Sequence, residues 1–161
     1  MLSLIINNMV NFLKNNIYKL VTLLILVVCF FLLNTKVVGA EEMEEGFTAF
    51  NIIFGYTDPL YNLELLQFSF VGFIGFALMM VAILLIVFSL LNPTLNANKA
   101  IGVLIIASAL IMFMLPQFMV FVKEYSSIKD YMIQKPTLYI SCILQVISGI
   151  VIIIEKYKIS L

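Results

Sequence analysis

Apolar positions fall into four blocks along the chain, Leu20–Leu33, Phe68–Leu91, Ala100–Val122 and Pro136–Ile154, separated by short polar stretches. A bilayer core of about 30 Å takes about 20 helical residues at 1.5 Å per residue. The last three blocks reach that length or nearly so. Hydrophobicity in them is continuous and not confined to one face, which predicts spanning helices and not surface-lying ones. Backbone polar groups in lipid must be satisfied within the segment, and this favours helix.

The first block is shorter and carries two readings. Lys14 and Lys19 precede it, and Val38-Gly39-Ala40 before Glu41 fits the small-residue pattern of a signal-peptide cleavage site. The same block can instead be a first membrane helix, with Tyr18, Asn34 and Thr35 among the headgroups. Both readings put Lys14 and Lys19 in the cytoplasm. Residues 35–67 and 123–135 are then extracytoplasmic, and residues 92–99 and the C-terminus cytoplasmic. Lysines follow this weakly, with five inside and four outside.

The polar stretches define the remaining organisation. Glu41, Glu42, Glu44 and Glu45 read as a solvated outer segment; convergence on a divalent cation is the sharper alternative. Phe47–Phe54 is rich in β-formers and is broken by Gly55 and Asp58-Pro59, which predicts a short strand or irregular piece and then a turn. Phe47, Phe50, Phe54, Tyr56 and Tyr61 are expected at the membrane interface. A cap folded over the helices, offering a partner-binding edge, is the other reading. The connection containing Pro93 is short, so the second and third helices form an antiparallel hairpin. Pro116 predicts a kink in the third helix, and Pro136 suits the first turn of the fourth.

Composition sharpens the class. Of 161 residues 63% are hydrophobic and 11% charged, with nine basic and nine acidic side chains and no histidine. Mean hydropathy is +1.14. An ordinary soluble domain carries roughly 25% charged residues, so this chain lacks the polar skin for water, and lipid is its first partner. The lysines form no basic stripe, which gives nucleic acid no footprint.

Candidate chemistry is sparse. The last three blocks hold no ionisable side chain except Tyr139 and Cys142. A chain without histidine lacks the usual base for serine or cysteine hydrolysis, and no Cys/His cluster or glycine-rich phosphate loop occurs. No enzyme and no cofactor is expected. Cys29 and Cys142 lie in apolar blocks at comparable depth if the first block is retained, and a disulfide between them would require neighbouring first and fourth helices. Uncharged polar residues remain. Ser141, Gln145 and Gly149 share one face of the fourth helix, and Gln117 follows Pro116 on the third. Gly102, Ala109 and Pro116 recur every seven residues. Helix–helix packing is the first reading of these residues. A solute route lined by Gln117, Ser141 and Gln145 is the second.

The phrase Asn51-Ile52-Ile53-Phe54-Gly55, after an N-terminal hydrophobic segment and before three close-spaced helices, resembles a loose group of small four-helix membrane proteins from AT-rich bacteria of the Firmicutes and Mollicutes type. The resemblance implies architecture alone. The helix count is also similar to claudin-like tetraspan proteins, whose tryptophan and loop cysteines are missing here.

The expected fold is therefore an all-α membrane protein, a bundle of three or four transmembrane helices with a short extracytoplasmic segment. Residues 1–34 form the signal peptide or first helix, 35–67 the acidic and aromatic segment, and 68–161 the three-helix region. The expected role is a non-enzymatic scaffold or accessory subunit of a bacterial envelope, assembling with other membrane proteins or with itself. A transport component for a neutral or apolar solute is the alternative.

Overall fold

The computed structural model describes residues 2–40, 46–92, 94–95 and 97–154. The chain is mostly helical, at 73%. The long helices are α1 (Leu2–Leu33), α3 (Phe70–Leu91), α4 (Asn98–Phe113) and α5 (Pro136–Ile154), with a short α2 (Ala49–Phe54) between the first two. Three stretches are long and apolar enough to cross a membrane: Met9–Leu33, Phe70–Leu91 and Pro136–Ile154. α4 is apolar but shorter.

The helices pack in the order α3, α4, α5, α1, each mainly against the next. Their side chains are distributed inside out. Ser89, Ser108, Ser141, Gln145 and Ser148 are buried, while Leu24, Phe88 and Leu110 are 65%, 59% and 61% exposed. Such a surface is compatible with a lipid solvent, where apolar groups face outward at no cost and polar groups seek one another.

The third apolar block is not one kinked helix. α4 stops at Phe113, a 3₁₀ turn covers Leu115–Phe118, and strand β5 (Val120–Phe121) follows. Pro116 has no N–H for the carbonyl of Met112, and it pushes Leu115 away from helical geometry. The chain therefore leaves the α-helix here instead of bending through it.

The fold also departs from all-α, because two small antiparallel sheets cover one end of the bundle. The first has the order β2-β1-β6, from Gly46–Thr48, Lys36–Ala40 and Met132–Gln134. Two residues separate its central strand from the end of α1, and Val38 faces Phe47 on one side and Gln134 on the other. The second has the order β3-β4-β5, from Tyr56–Asp58, Leu63–Gln67 and Val120–Phe121. Residues 35–67 are thus no free segment. Strands β1 and β4 pair with β6 and β5, which come from the other connection at the same end.

The β-forming run after Phe47 also resolves differently from expectation. Only Gly46–Thr48 is strand; Thr48 then caps α2, its hydroxyl accepting from the N–H of Asn51 at 3.1 Å. Gly55 ends α2 at φ +91°, and a Cβ there would lie 2.8 Å from the carbonyl oxygen of Leu66. Phe47 is buried; its ring meets Tyr56 at 5.6 Å and Phe121 at 6.1 Å, joining the two sheets. Phe50 sits between Phe30 of α1 and Phe76 of α3, at 5.3 and 5.4 Å. Phe54 touches Phe73 and Phe76. α2 therefore wedges the α1–α3 side of the bundle with edge-to-face rings. Tyr61, by contrast, is 73% exposed. Ser69 ties this cap to the helices: its N–H donates to Ile53 O, its hydroxyl donates to Phe118 O, and its oxygen accepts from Gly72 N.

The glutamates at 41, 42, 44 and 45 lie outside the described residues, as does the C-terminal stretch 155–161.

Candidate functional site: a buried polar seam

The polar residues of the interior form one connected chain across four helices. At its centre is Gln145 of α5, fully buried. Ser141 stands one turn before it and Ser108 faces it from α4, each hydroxyl 3.4 Å from the amide. Ser108 Oγ donates to the carbonyl of Gly75 on α3 at 2.8 Å. A hydroxyl has one proton, and this shorter bond takes it. Gln145 Nε2 donates to Ser141 Oγ, and Gln145 Oε1 lies 3.4 Å from Ser108 Oγ. The path Ser141–Gln145–Ser108–Gly75 thus ties α5, α4 and α3 together. Ser148 Oγ donates back to Gln145 O at 2.8 Å.

α1 joins from the other side. Cys29 Sγ donates to Ser141 O at 3.4 Å, and Thr22 Oγ1 to Ser148 O at 3.5 Å. Both pairs are seven residues apart on their own helices, so two antiparallel helices meet twice on matching faces two turns apart. One turn further along α1, Lys19 Nζ donates to Ser89 O near the end of α3 at 3.4 Å. Lys19 is 9% exposed.

Close packing completes the seam. A Cβ on Gly102 of α4 would lie 2.6 Å from Gly149 O, and one on Gly149 would lie 3.0 Å from Gly102 O. Only glycine at both positions lets the α4 and α5 backbones approach this closely.

Ser141, Gln145 and Gly149 are therefore brought together. Gln117 is not: it lies in the 3₁₀ turn beyond α4 and is exposed. Of the seven-residue series, Gly102 and Ala109 are buried on α4, while Pro116 lies past its end. Ser108 and Thr22 join the seam with no sequence expectation behind them, and the sequence reads Lys19 only as an orientation signal. A lone serine inside an apolar block gives little signal, but the seven-residue step from Thr22 to Cys29, matched by Ser141 to Ser148, was available.

Cys29 and Cys142 are both free and buried, on neighbouring helices. Among the described residues no three His, Cys, Asp or Glu side chains come together as a metal site would require. The seam can hold helices in register; it presents no nucleophile–base pair. No family model, curated protein or solved structure matches this chain.

Proposed function

We propose that this is a non-enzymatic, multi-pass membrane protein that acts by assembly, as a small scaffold or accessory subunit of a bacterial envelope. The observation that carries the reading is Gln145. Its amide is one of two glutamine amides in the last three apolar blocks, and it is fully buried among serines of its own chain. Hydrogen bonds of this kind contribute about 0.6–2 kcal/mol each between membrane helices. Interior polarity is spent on holding the bundle together, and interaction with other molecules falls to its surface.

In this reading all four long helices lie in the membrane, with the 3₁₀ turn lengthening α4 toward the sheet end. The sheets are extracytoplasmic, and the 92–97 connection, Lys14 and Lys19 are at the cytoplasmic face. α1 stays attached. Two observations support retention: Leu26, Cys29 and Leu33 are buried against the other helices, and β1 is the middle strand of its sheet. Cleavage after Ala40 would remove both. The transport alternative draws less support, since Gln117 stands apart from Ser141 and Gln145.

The test is native electrophoresis and cross-linking mass spectrometry of the full chain in mild detergent from its own membranes. Assembly predicts a complex of fixed stoichiometry, carrying an N-terminus that precedes residue 40. A chain recovered only as a monomer, with solute flux in vesicles that the change Gln145→Leu abolishes, would favour transport instead.

A further inference from the structure

Val38-Gly39-Ala40 carries the small-residue pattern of a signal-peptide cleavage site, and the other parts of that signal precede it: Lys14 and Lys19, then the apolar block Leu20–Leu33. Ala40 lies seven residues beyond Leu33, the end of α1. An endopeptidase that reads such a site takes its substrate as an extended strand. Main-chain hydrogen bonds hold one edge, and pockets receive alternate side chains. The site must therefore be offered with an unpaired edge.

The folded chain presents extended backbone here, but both edges are taken. β1 is the middle strand of its sheet. On one side Val38 and Gly39 pair with Phe47 and Gly46; on the other Val38, Gly39 and Ala40 pair with Gln134, Ile133 and Met132. The second pairing continues toward α1. Lys135 N–H donates to Val37 O at 2.9 Å, and Thr137 Oγ1 donates to Lys36 O at 2.9 Å. Val37 and Val38 are fully buried. A Cβ on Gly46 would lie 2.5 Å from Val38 O, so the glycine is what lets β2 come this close. The segment that a protease would grip is held by its own chain from both sides.

We infer that Val38–Ala40 is a conditional processing site. The sheet shields it from a membrane-bound endopeptidase of the signal-peptidase class, and loss of strand pairing exposes it. The reaction is hydrolysis. The peptide bond after Ala40 breaks, water gives its hydroxyl to the Ala40 carbonyl carbon, and the remaining proton goes to the amine released. β6 is the strand most able to open. Gly46 of β2 follows Ala40 by six residues, whereas Met132 of β6 follows it by 92. β6 stays in place only while the connection before α5 is folded onto the cap. Cleavage severs the covalent link between α1 and the bundle, so that Cys29, Thr22 and Lys19 are held to Ser141, Ser148 and Ser89 by packing alone. An opened cap is thereby marked irreversibly. The inference rests on the retention of α1 in the folded chain and names the device that enforces it.

The test follows the full chain in bacterial membranes that contain signal peptidase, by pulse labelling and mass analysis of the N-terminus. The parent should remain uncut. Ile133 pairs with Gly39 and its side chain is 43% exposed, so Ile133→Pro breaks the ladder without emptying the core. Gly46→Ala disturbs the opposite edge. Where opening is fast relative to cleavage, cutting tracks the open population, and each variant should release a fragment beginning at residue 41 about tenfold faster than the parent. Adding Ala40→Leu removes the small residue and should abolish that fragment in both, which separates processing from general degradation of a misfolded chain. A parent cut as fast as the variants would overturn the shielding and the retention of α1 together. No fragment at residue 41 from either variant, or a fragment that persists with Ala40→Leu, would overturn the site alone. A complex of fixed stoichiometry would in each case leave the assembly reading standing.

Discussion

The ammonium of Lys19 donates to the carbonyl of Ser89, and the residue four places after Ser89 is a proline. Proline has no N–H to offer that carbonyl, and the last carbonyls of any helix lack partners. Lys19 serves the oxygen that the sequence of α3 leaves without its usual donor, at the helix end whose dipole favours a cation. Replacing Lys19 with Met keeps the stem and removes the charge. Unfolding of the purified chain in detergent should show a loss of about 1.5–3 kcal/mol, the range for hydrogen bonds involving charged groups. An unchanged midpoint would deny the contact any structural weight.

Gly102 and Gly149 make a second prediction whose sign is diagnostic. In an unconstrained helix interior, Gly→Ala gains up to about 1 kcal/mol. Here the added methyl of Gly102→Ala meets the carbonyl of Gly149, and overpacking costs about 1–3 kcal/mol. The variant should therefore unfold at lower denaturant than the parent. A gain in stability would mean that α4 and α5 do not approach through these residues.

Gln145 and Ser108 should be coupled. Gln145→Leu and Ser108→Ala each break the same path, so the double variant should lose less than the two single losses combined. A double-mutant cycle reads this directly, with an expected coupling of about 0.5–2 kcal/mol. Strict additivity would place the two side chains in separate environments.

The cysteines predict a protection pattern. Both thiols are buried and unpaired, so a bulky maleimide should leave the folded chain unlabelled and add twice after unfolding in dodecyl sulfate. Intact mass under non-reducing conditions should correspond to two free thiols.

Gly55 tests the cap apart from the bundle. Its φ of +91° is a conformation that side chains adopt at a cost, and the Cβ of Gly55→Ala would meet Leu66 O. Limited proteolysis should cut this variant between residues 40 and 67 faster than the parent, while the helices stay resistant.

How far the sequence could be read depended on the range of the interactions. α5 was legible to the residue, because an apolar block began with a proline that suits a helix start. α3 was nearly so. α1 was cut short at Leu20, because asparagines at 7, 8, 11, 15 and 16 interrupt apolarity without interrupting helix; Asn16 even returns its amide to Phe12 O at 3.0 Å. The sheets were illegible for another reason. Strands of two to five residues hold no periodicity of their own, and β1 finds β6 across most of the chain. In the seam, Ser141 and Gln145 could be found from spacing within one helix. Ser108 and Lys19 acquire meaning only from a neighbouring helix, and no local pattern encodes which helices are neighbours.

The placement of β1 between β2 and β6 has a consequence for biogenesis. Val38 pairs with Gln134, so the sheet waits for a segment synthesised about a hundred residues later. At about 5–20 residues per second, the ribosome delivers that segment roughly 5–20 s after the first helix has emerged. During this interval the early strand has a free edge, which a chaperone or a neighbouring nascent chain can reach. Closure of the cap thus reports that synthesis has passed residue 134, and a chain truncated before residue 132 would remain open to surveillance at that edge.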